Sequence, residues 1–526
     1  VAGLGVDGPR PPERGGKVAG KNRQASRGPG SPGREPGATV VSTAGDFKEF
    51  KGLEKHRKRV KSKAKKCKSE SEEGELYVEP LNAWACLLLE AAHDPRASGG
   101  SGAQAVRVWR CDTLRLLPTP QQEELLRLVG DQTARLVNME NFRRRRLFFS
   151  AGRIDDSWRS AWDTRKTEYA DIYRLLGSAN FHETCRLIAE QWRSFKELLR
   201  AAKEGRLPPW LRVHPPGYRK DKEGQRIPIV IVRYDNFRVD LERRVIHFNY
   251  WNISIPFKGK PRWLAKPGAK QGRLIITYDP VKKRWYARVS VEVTLERERG
   301  GSGFMGIDLG REILVSAVAS DGTALLYKGS ALKADYFYFE RRIAEVDKAL
   351  SDPGMEEADR AVLWEERRRL YGKRSRRRDQ VFANTAAHLA RFAREHSIGA
   401  VFIGYPWNIS HEKPGKGNTN MWSQRKLMLR LATTLENHGI AAFAVREGGT
   451  SKTCAYHGCK VQRGPRGLVR CPHGHTLHAD VNAALNILLR GLEALGVKVS
   501  PPERVKVLSF IPTPGGVVER KRNQAP

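Results

Sequence analysis

The apolar residues of this chain change their period twice. Between 105 and 117, Val106, Val108, Leu114 and Leu116 alternate with polar neighbours, which predicts a strand. Pro118-Thr119-Pro120 ends it, with Thr119 suited to cap a helix whose first position is Pro120. Leu125, Leu126 and Val129 then recur at helical spacing. An arginine-rich helical stretch studded with Trp158, Trp162, Tyr169, Tyr173 and Trp192 follows, until Pro208, Pro209, Pro215 and Pro216 close it. From 217 to 296 the period returns to two, in short segments at 227–234, 238–248, 253–257, 274–278 and 285–293 split by turn residues such as Asp235-Asn236 and Asp279-Pro280. Short strands at that spacing predict a small β-barrel. Beyond a charged, Gly-rich linker at 296–303 the order becomes three strands, long helices, strand, helix, strand, a cysteine/histidine segment and a helix, which predicts an α/β domain.

Composition narrows the partners. The 526 residues hold 95 Lys plus Arg against 58 Asp plus Glu, a formal charge of +37 that is costly unless a polyanion neutralises it, so nucleic acid is the expected partner. A hydrophobic content of 40%, with 12 Trp, 14 Tyr and 18 Phe, supports real cores. No apolar run approaches the ~18 residues a membrane span requires, so no membrane partner is expected and a cytoplasmic location, on the nucleoid of a prokaryote, is. Residues 1–103 are rich in Gly, Pro, Ser and charge; they are expected to form a disordered, dispensable basic leader with one short helix near 81–92. Seven cysteines suit metal better than disulfides, since Cys454, Cys459 and Cys471 crowd beside histidines.

Two acidic positions and that cluster carry the candidate chemistry. Asp308 ends an apolar strand flanked by Gly306 and Gly310, the manner in which a ribonuclease H fold presents its first metal ligand. Asp480 lies in the first turn of an amphipathic helix whose Val481, Ala484, Leu485 and Leu488 face inward; no role is assigned to Asn482 and Asn486. Two such aspartates brought together can chelate two Mg²⁺ ions, roughly 4 Å apart, for in-line phosphodiester hydrolysis. Between them, Cys454-x2-His457-Gly458 has the spacing of a zinc knuckle and Cys471 opens a second half. His475 has more room than His473 to be the fourth zinc donor, and Cys459 could replace His457. Four soft ligands would leave no open position, so this zinc is structural.

Taken in order, Gly306-Ile-Asp-Leu-Gly310, Thr450-Ser-Lys-Thr-Cys454, the second cysteine/histidine group and the segment 480–488 resemble TnpB, the transposon-encoded RNA-guided nuclease, and the compact type V CRISPR effectors derived from it. Residues 115–126 also resemble that family's first wedge strand and following helix, so the likeness spans about 104–490. The resemblance implies a multidomain α+β protein: a wedge β-barrel at 104–118 and 205–300 with a helical recognition insert at 119–204, then a ribonuclease H-like (RuvC) α/β domain at 301–449 and 476–498. A zinc-binding segment at 450–475 interrupts the latter, and 499–526 is a tail. It implies guide RNA and target DNA as partners and a two-Mg²⁺ endonuclease site, and leaves oligomeric state open.

One position departs from the family pattern. The fourth strand of the RuvC domain should end in a glutamate, and Gly404 stands there. Glu447, at the end of the fifth strand, is expected to reach across that glycine and complete the set Asp308, Glu447, Asp480; if it does not, the chain binds guided DNA without cutting it. The cluster Arg367, Arg368, Arg369, Lys373, Arg374, Arg376, Arg377 and Arg378 has few acids beside it and is expected to meet the guide–target duplex backbone.

Overall fold

In the computed structural model the described residues are 78–93, 104–205, 207, 211–221, 223–297, 301–405 and 423–520. The leader expected over 1–103 lies mainly outside them, but its end is built into the fold. Strand β1 (Val78–Pro80) and helix α1 (Ala83–His93) precede the wedge, with Asn82, Trp84 and Cys86 fully buried. The apolar run that suggested a lone helix therefore has a packing partner, which corrects the leader's extent.

Strand β2 (Gln104–Leu116) opens the first sheet. Thr119 caps helix α2 (Pro120–Ala151) in a capping box: its hydroxyl accepts from the Gln122 N–H while the Gln122 side chain accepts from the Thr119 N–H. Helices α3 (Arg159–Asp163) and α4 (Ala170–Lys203) complete the helical insert. Helix α4 kinks at Gly177, whose φ of 74° and a Tyr250 ring 2.5 Å from where a Cβ would stand both require glycine. Trp192 is wholly buried with its Nε1 donating to Asn141 Oδ1 at 2.8 Å, so it is a packing residue. Strands β3 (Ile229–Val232), β4 (Phe237–Asp240), β5 (Val245–Phe248), β6 (Ile253–Lys258), β7 (Lys270–Asp279) and β8 (Arg284–Arg297) join β2 in a seven-stranded antiparallel sheet of order β3-β7-β8-β2-β6-β5-β4. Its edge strands β3 and β4 follow one another along the chain, so the sheet curls nearly into a barrel.

The second sheet holds the acidic residues. Strands β9 (Gly303–Asp308), β10 (Ile313–Ala319) and β11 (Thr323–Lys328) form an antiparallel meander. Helices α5 (Ser330–Leu350) and α6 (Glu357–Glu395) lead to β12 (Ile398–Tyr405), and α7 (Gln424–Glu436) leads to β13 (Ala441–Arg446); β12 runs parallel to both β9 and β13. Small strands β14 (Gln462–Arg463), β15 (Leu468–Arg470) and β16 (Thr476–His478) form a separate three-stranded sheet before helix α8 (Ala479–Ala494). Strands β17 (Lys506–Thr513) and β18 (Gly516–Glu519) extend the large sheet beyond β11, giving the order β1-β13-β12-β9-β10-β11-β17-β18. The segment read as a tail over 499–526 thus contributes two strands. Strands β10 and β12 are apolar almost throughout because both faces are covered, by α8 on one side and by α6 and α7 on the other.

Candidate active site and metal centre

Asp308 is the last residue of β9. Ile403 of β12 pairs with Ile307, so Gly404 follows beside Asp308, and Gly404 in turn pairs with Val445 of β13. Glu447 stands one residue past β13, and its Oε2 comes within 3.2 Å of where a Cβ on Gly404 would be. That oxygen is buried and has no hydrogen-bond partner among the described residues. Across the sheet α8 lies so close that a Cβ on Gly306 would fall 2.2 Å from the Ala484 carbonyl oxygen; this close approach holds Asp480, in the helix's first turn, over the strand that ends in Asp308. His478 caps α8, its Nδ1 accepting from the Asp480 N–H at 3.3 Å.

The electrostatics bind the three acids into one group. Burial pushes the Asp308 carboxyl up to about 8, and the neighbouring negative charges of Glu447 and Asp480 add to it. Burial alone lifts Glu447 to about 7. Asp480 is also raised by burial, against the opposing pull of His478 and Arg463. Asp308 is repelled by both Glu447 and Asp480, and Glu447 carries a buried oxygen without a partner among the described residues; such a set of carboxylates fits a hard divalent cation, because the cation removes both the repulsion and the unmet valence. Sequence reasoning missed Ser316, which pairs with Asp308 across β10 and β9 and has a buried hydroxyl without a partner among the described residues.

It also missed how the segment after Glu447 is fixed. Asn482 Oδ1 accepts from the Ala455 N–H at 3.0 Å while its Nδ2 donates to the Thr453 carbonyl at 2.8 Å. Asn486 Nδ2 donates to the carbonyls of Thr450 and Thr453 at 2.8 and 2.9 Å. Their spacing of four on one helix face was the available signal. In the cysteine/histidine segment the ligand atoms of Cys454, His457 and Cys471 all lie within 4.8 Å of one another, with His457 Nδ1 3.3 Å from Cys471 Sγ. Cys459 Sγ is 3.2 Å from Cys471 Sγ, while the His475 ring stacks on His457. The soft donors of Cys454, His457 and Cys471 therefore fit zinc, and of the candidates for a fourth donor Cys459 has its sulfur beside Cys471 Sγ whereas His475 meets the group by ring stacking.

The basic cluster on α6 is not short of acids. Arg367 pairs with Asp347, Arg369 with Glu366, Arg374 with Glu340, Arg377 with Asp335 and Arg378 with Asp379. Most of these partners sit on α5, which the sequence separates by many residues but the antiparallel packing of α5 on α6 brings alongside. Arg368, Lys373 and Arg376 are exposed, with no ion pair among the described residues.

A family model described as a probable transposase matches residues 286–410, and one described as the Cas12f1-like TNB domain matches 425–487. The TnpB-like protein ORF457 of Acidianus two-tailed virus is 40% identical over 427 residues, spanning 76% of this chain and 90% of that protein. Among solved structures, the chain is similar to Cas12f1 in a complex with single guide RNA and target DNA, at a TM-score of 0.46 and 16% identity over 70% of this chain and 83% of that one. It is also similar to the mini-RNA-guided endonuclease CRISPR-Cas phi3, at a TM-score of 0.37 and 12% identity over 79% of this chain and 98% of that one.

Proposed function

The chain belongs to the TnpB-like family, and from that premise we propose that it is an RNA-guided DNA endonuclease whose RuvC-type site is completed by Glu447. Base pairing with a guide RNA would supply the sequence, and the protein would read duplex shape and a short flanking motif. The strand order supports a ribonuclease H arrangement: an antiparallel meander of three strands whose first member is followed, on its other side, by two parallel ones. The single observation that carries the reading is the buried Glu447 oxygen, unpartnered among the described residues, lying over Gly404 at the end of the strand beside Asp308.

Asp308, Glu447 and Asp480 would hold Mg²⁺. Bound there, the ions supply an activated water and neutralise charge on the leaving oxygen. The chain does the rest. Gly404 leaves room for the Glu447 carboxylate, and the tight seat of α8 on Gly306 fixes Asp480 relative to Asp308. Asn482 and Asn486 tie the turn after Glu447 to α8, the helix that carries Asp480. A structural zinc on Cys454, His457, Cys471 and Cys459 would stiffen the same segment.

A second reading, guided DNA binding without cleavage, is favoured by the absence of an acid at position 404 itself. Incubating the guide-loaded protein with matched duplex in Mg²⁺ separates the two: cleavage lost in Glu447→Gln with guided binding retained supports the nuclease.

A further inference from the structure

The strand that aims Glu447 would be the exposed edge of its sheet if residues 78–86 were absent. Instead β1 pairs antiparallel with β13 in the register Val78 to Val445, Glu79 to Ala444 and Pro80 to Phe443, and the Leu81 N–H continues the ladder to the Ala442 carbonyl at 2.8 Å. The next residue fixes the start of β13. Asn82 Nδ2 donates to the Ile440 carbonyl at 2.9 Å, and its Oδ1 accepts from the N–H groups of Ala442 at 3.2 Å and Ala85 at 3.0 Å. Trp84, 1% exposed, donates from Nε1 to the Glu436 carbonyl at 2.9 Å, and Glu436 Oε1 accepts from the Ala83 N–H at 2.6 Å. The other carboxylate oxygen of Glu436 takes Arg110 Nη2 of β2 at 2.6 Å. The bonds of Asn82, of Trp84 Nε1 and of Arg110 to Glu436 are buried and that of the Ala83 N–H partly so, which makes them costly to leave unmade.

We propose that residues 78–86 are a positioning segment for the active site: a short strand and an Asn82 clip that hold β13, and so Glu447, at a fixed reach from Asp308. An unpaired edge strand frays and twists, and Glu447 has no hydrogen bond of its own at Oε2 to restore its aim. Strand β2 joins the same clip through Arg110, so the segment also ties the first sheet to the strand that carries the acid. This inference rests on the assignment of Glu447 to the site made above.

Manganese titration of the full-length protein, followed by calorimetry without nucleic acid and by cleavage of guided DNA, tests it. Asn82→Ala is expected to weaken Mn²⁺ binding about tenfold, the effect usual for outer-shell support of a metal ligand, and to raise the Mn²⁺ needed for half-maximal cleavage in proportion. Guide RNA affinity should stay unchanged. In the Glu447→Gln background the same substitution should add nothing, since the carboxylate it positions is gone. Equal weakening in both backgrounds, or no weakening in either, overturns the proposal. If Glu447→Gln alone leaves Mn²⁺ affinity at the wild-type value, it is the assignment of Glu447 that fails instead. Trp84→Phe, which removes the bond to the Glu436 carbonyl together with part of the buried ring, gives the same comparison between the two backgrounds should Asn82→Ala not fold.

Discussion

The carboxylate of Glu447 takes up space that a side chain on Gly404 would need: its Oε2 lies 3.2 Å from where that Cβ would stand, and the Ile487 Cδ1 methyl lies 2.4 Å from the same point. Gly404→Ala is therefore expected to push both neighbours aside and slow single-turnover cleavage by about 100-fold, the scale of a misplacement near 1 Å. Glu at 404 in the Glu447→Gln background should stay inactive because Ile487 blocks it, and adding Ile487→Ala should recover activity. Recovery without the Ile487 change would show that α8 yields more readily than its packing indicates.

Zinc analysis of protein purified without chelator should give about one ion per chain. Cys454→Ser should lower the folded yield, because a structural zinc contributes folding free energy. Cys459→Ser should lose zinc while His475→Ala retains it, since Cys459 Sγ lies 3.2 Å from Cys471 Sγ and His475 meets the group through its ring. The reverse pattern would restore His475 as the fourth ligand.

The acids also predict a pH dependence. Asp308 and Glu447 sit at about 8 and about 7 in the folded chain, above the unfolded values of about 4. The folded state holds protons the unfolded state has given up, so their contribution to stability is complete below about pH 4 and is lost as pH rises through 7 and 8. The melting temperature of metal-free protein should fall between about pH 4 and pH 8 on account of these two groups and level off above, and Asp308→Asn should flatten that fall. Mg²⁺ should raise the melting temperature more at the alkaline end, where fewer protons must leave. An unchanged slope in Asp308→Asn would separate Asp308 from the effect.

Much of this organisation was legible in the sequence because local pattern carried it. Thr119 and Pro120 announced a helix start, and alternation marked β2, which buries one face and leaves the other more open. What depended on distant pairing was not legible. Strand β1 has three residues and gains meaning only from β13, and β17 and β18 look like a tail until they are set beside β11. The acids on α5 that neutralise α6 were invisible for the same reason: ion pairing across two helices is a property of their packing. Among the site residues, Asp308 and Asp480 stood out by motif, whereas the burial of Glu447 required the register of β12 and β13.

That pairing sharpens the electrostatic expectation. Within the α6 cluster, the exposed cations without ion pairs among the described residues, Arg368, Lys373 and Arg376, should carry the salt-sensitive share of that cluster's duplex binding. Replacing all three with Ala should reduce the slope of log affinity against log salt by about two to three. Arg377→Ala, which breaks the pair with Asp335, should mainly cost stability, on the order of 1 kcal/mol or less for so open a pair. A slope change confined to Arg377→Ala would invert the assignment.

The most direct test of the central claim is the single-turnover cleavage of matched duplex by guide-loaded Glu447→Gln in Mg²⁺, with guided binding measured on the same preparation. The substitution keeps the side chain's size and removes its charge, so the account predicts cleavage lost by several orders of magnitude, as in Asp308→Ala and Asp480→Ala, with binding intact. Cleavage by Glu447→Gln at the wild-type rate would contradict it and assign the third ligand to another acid.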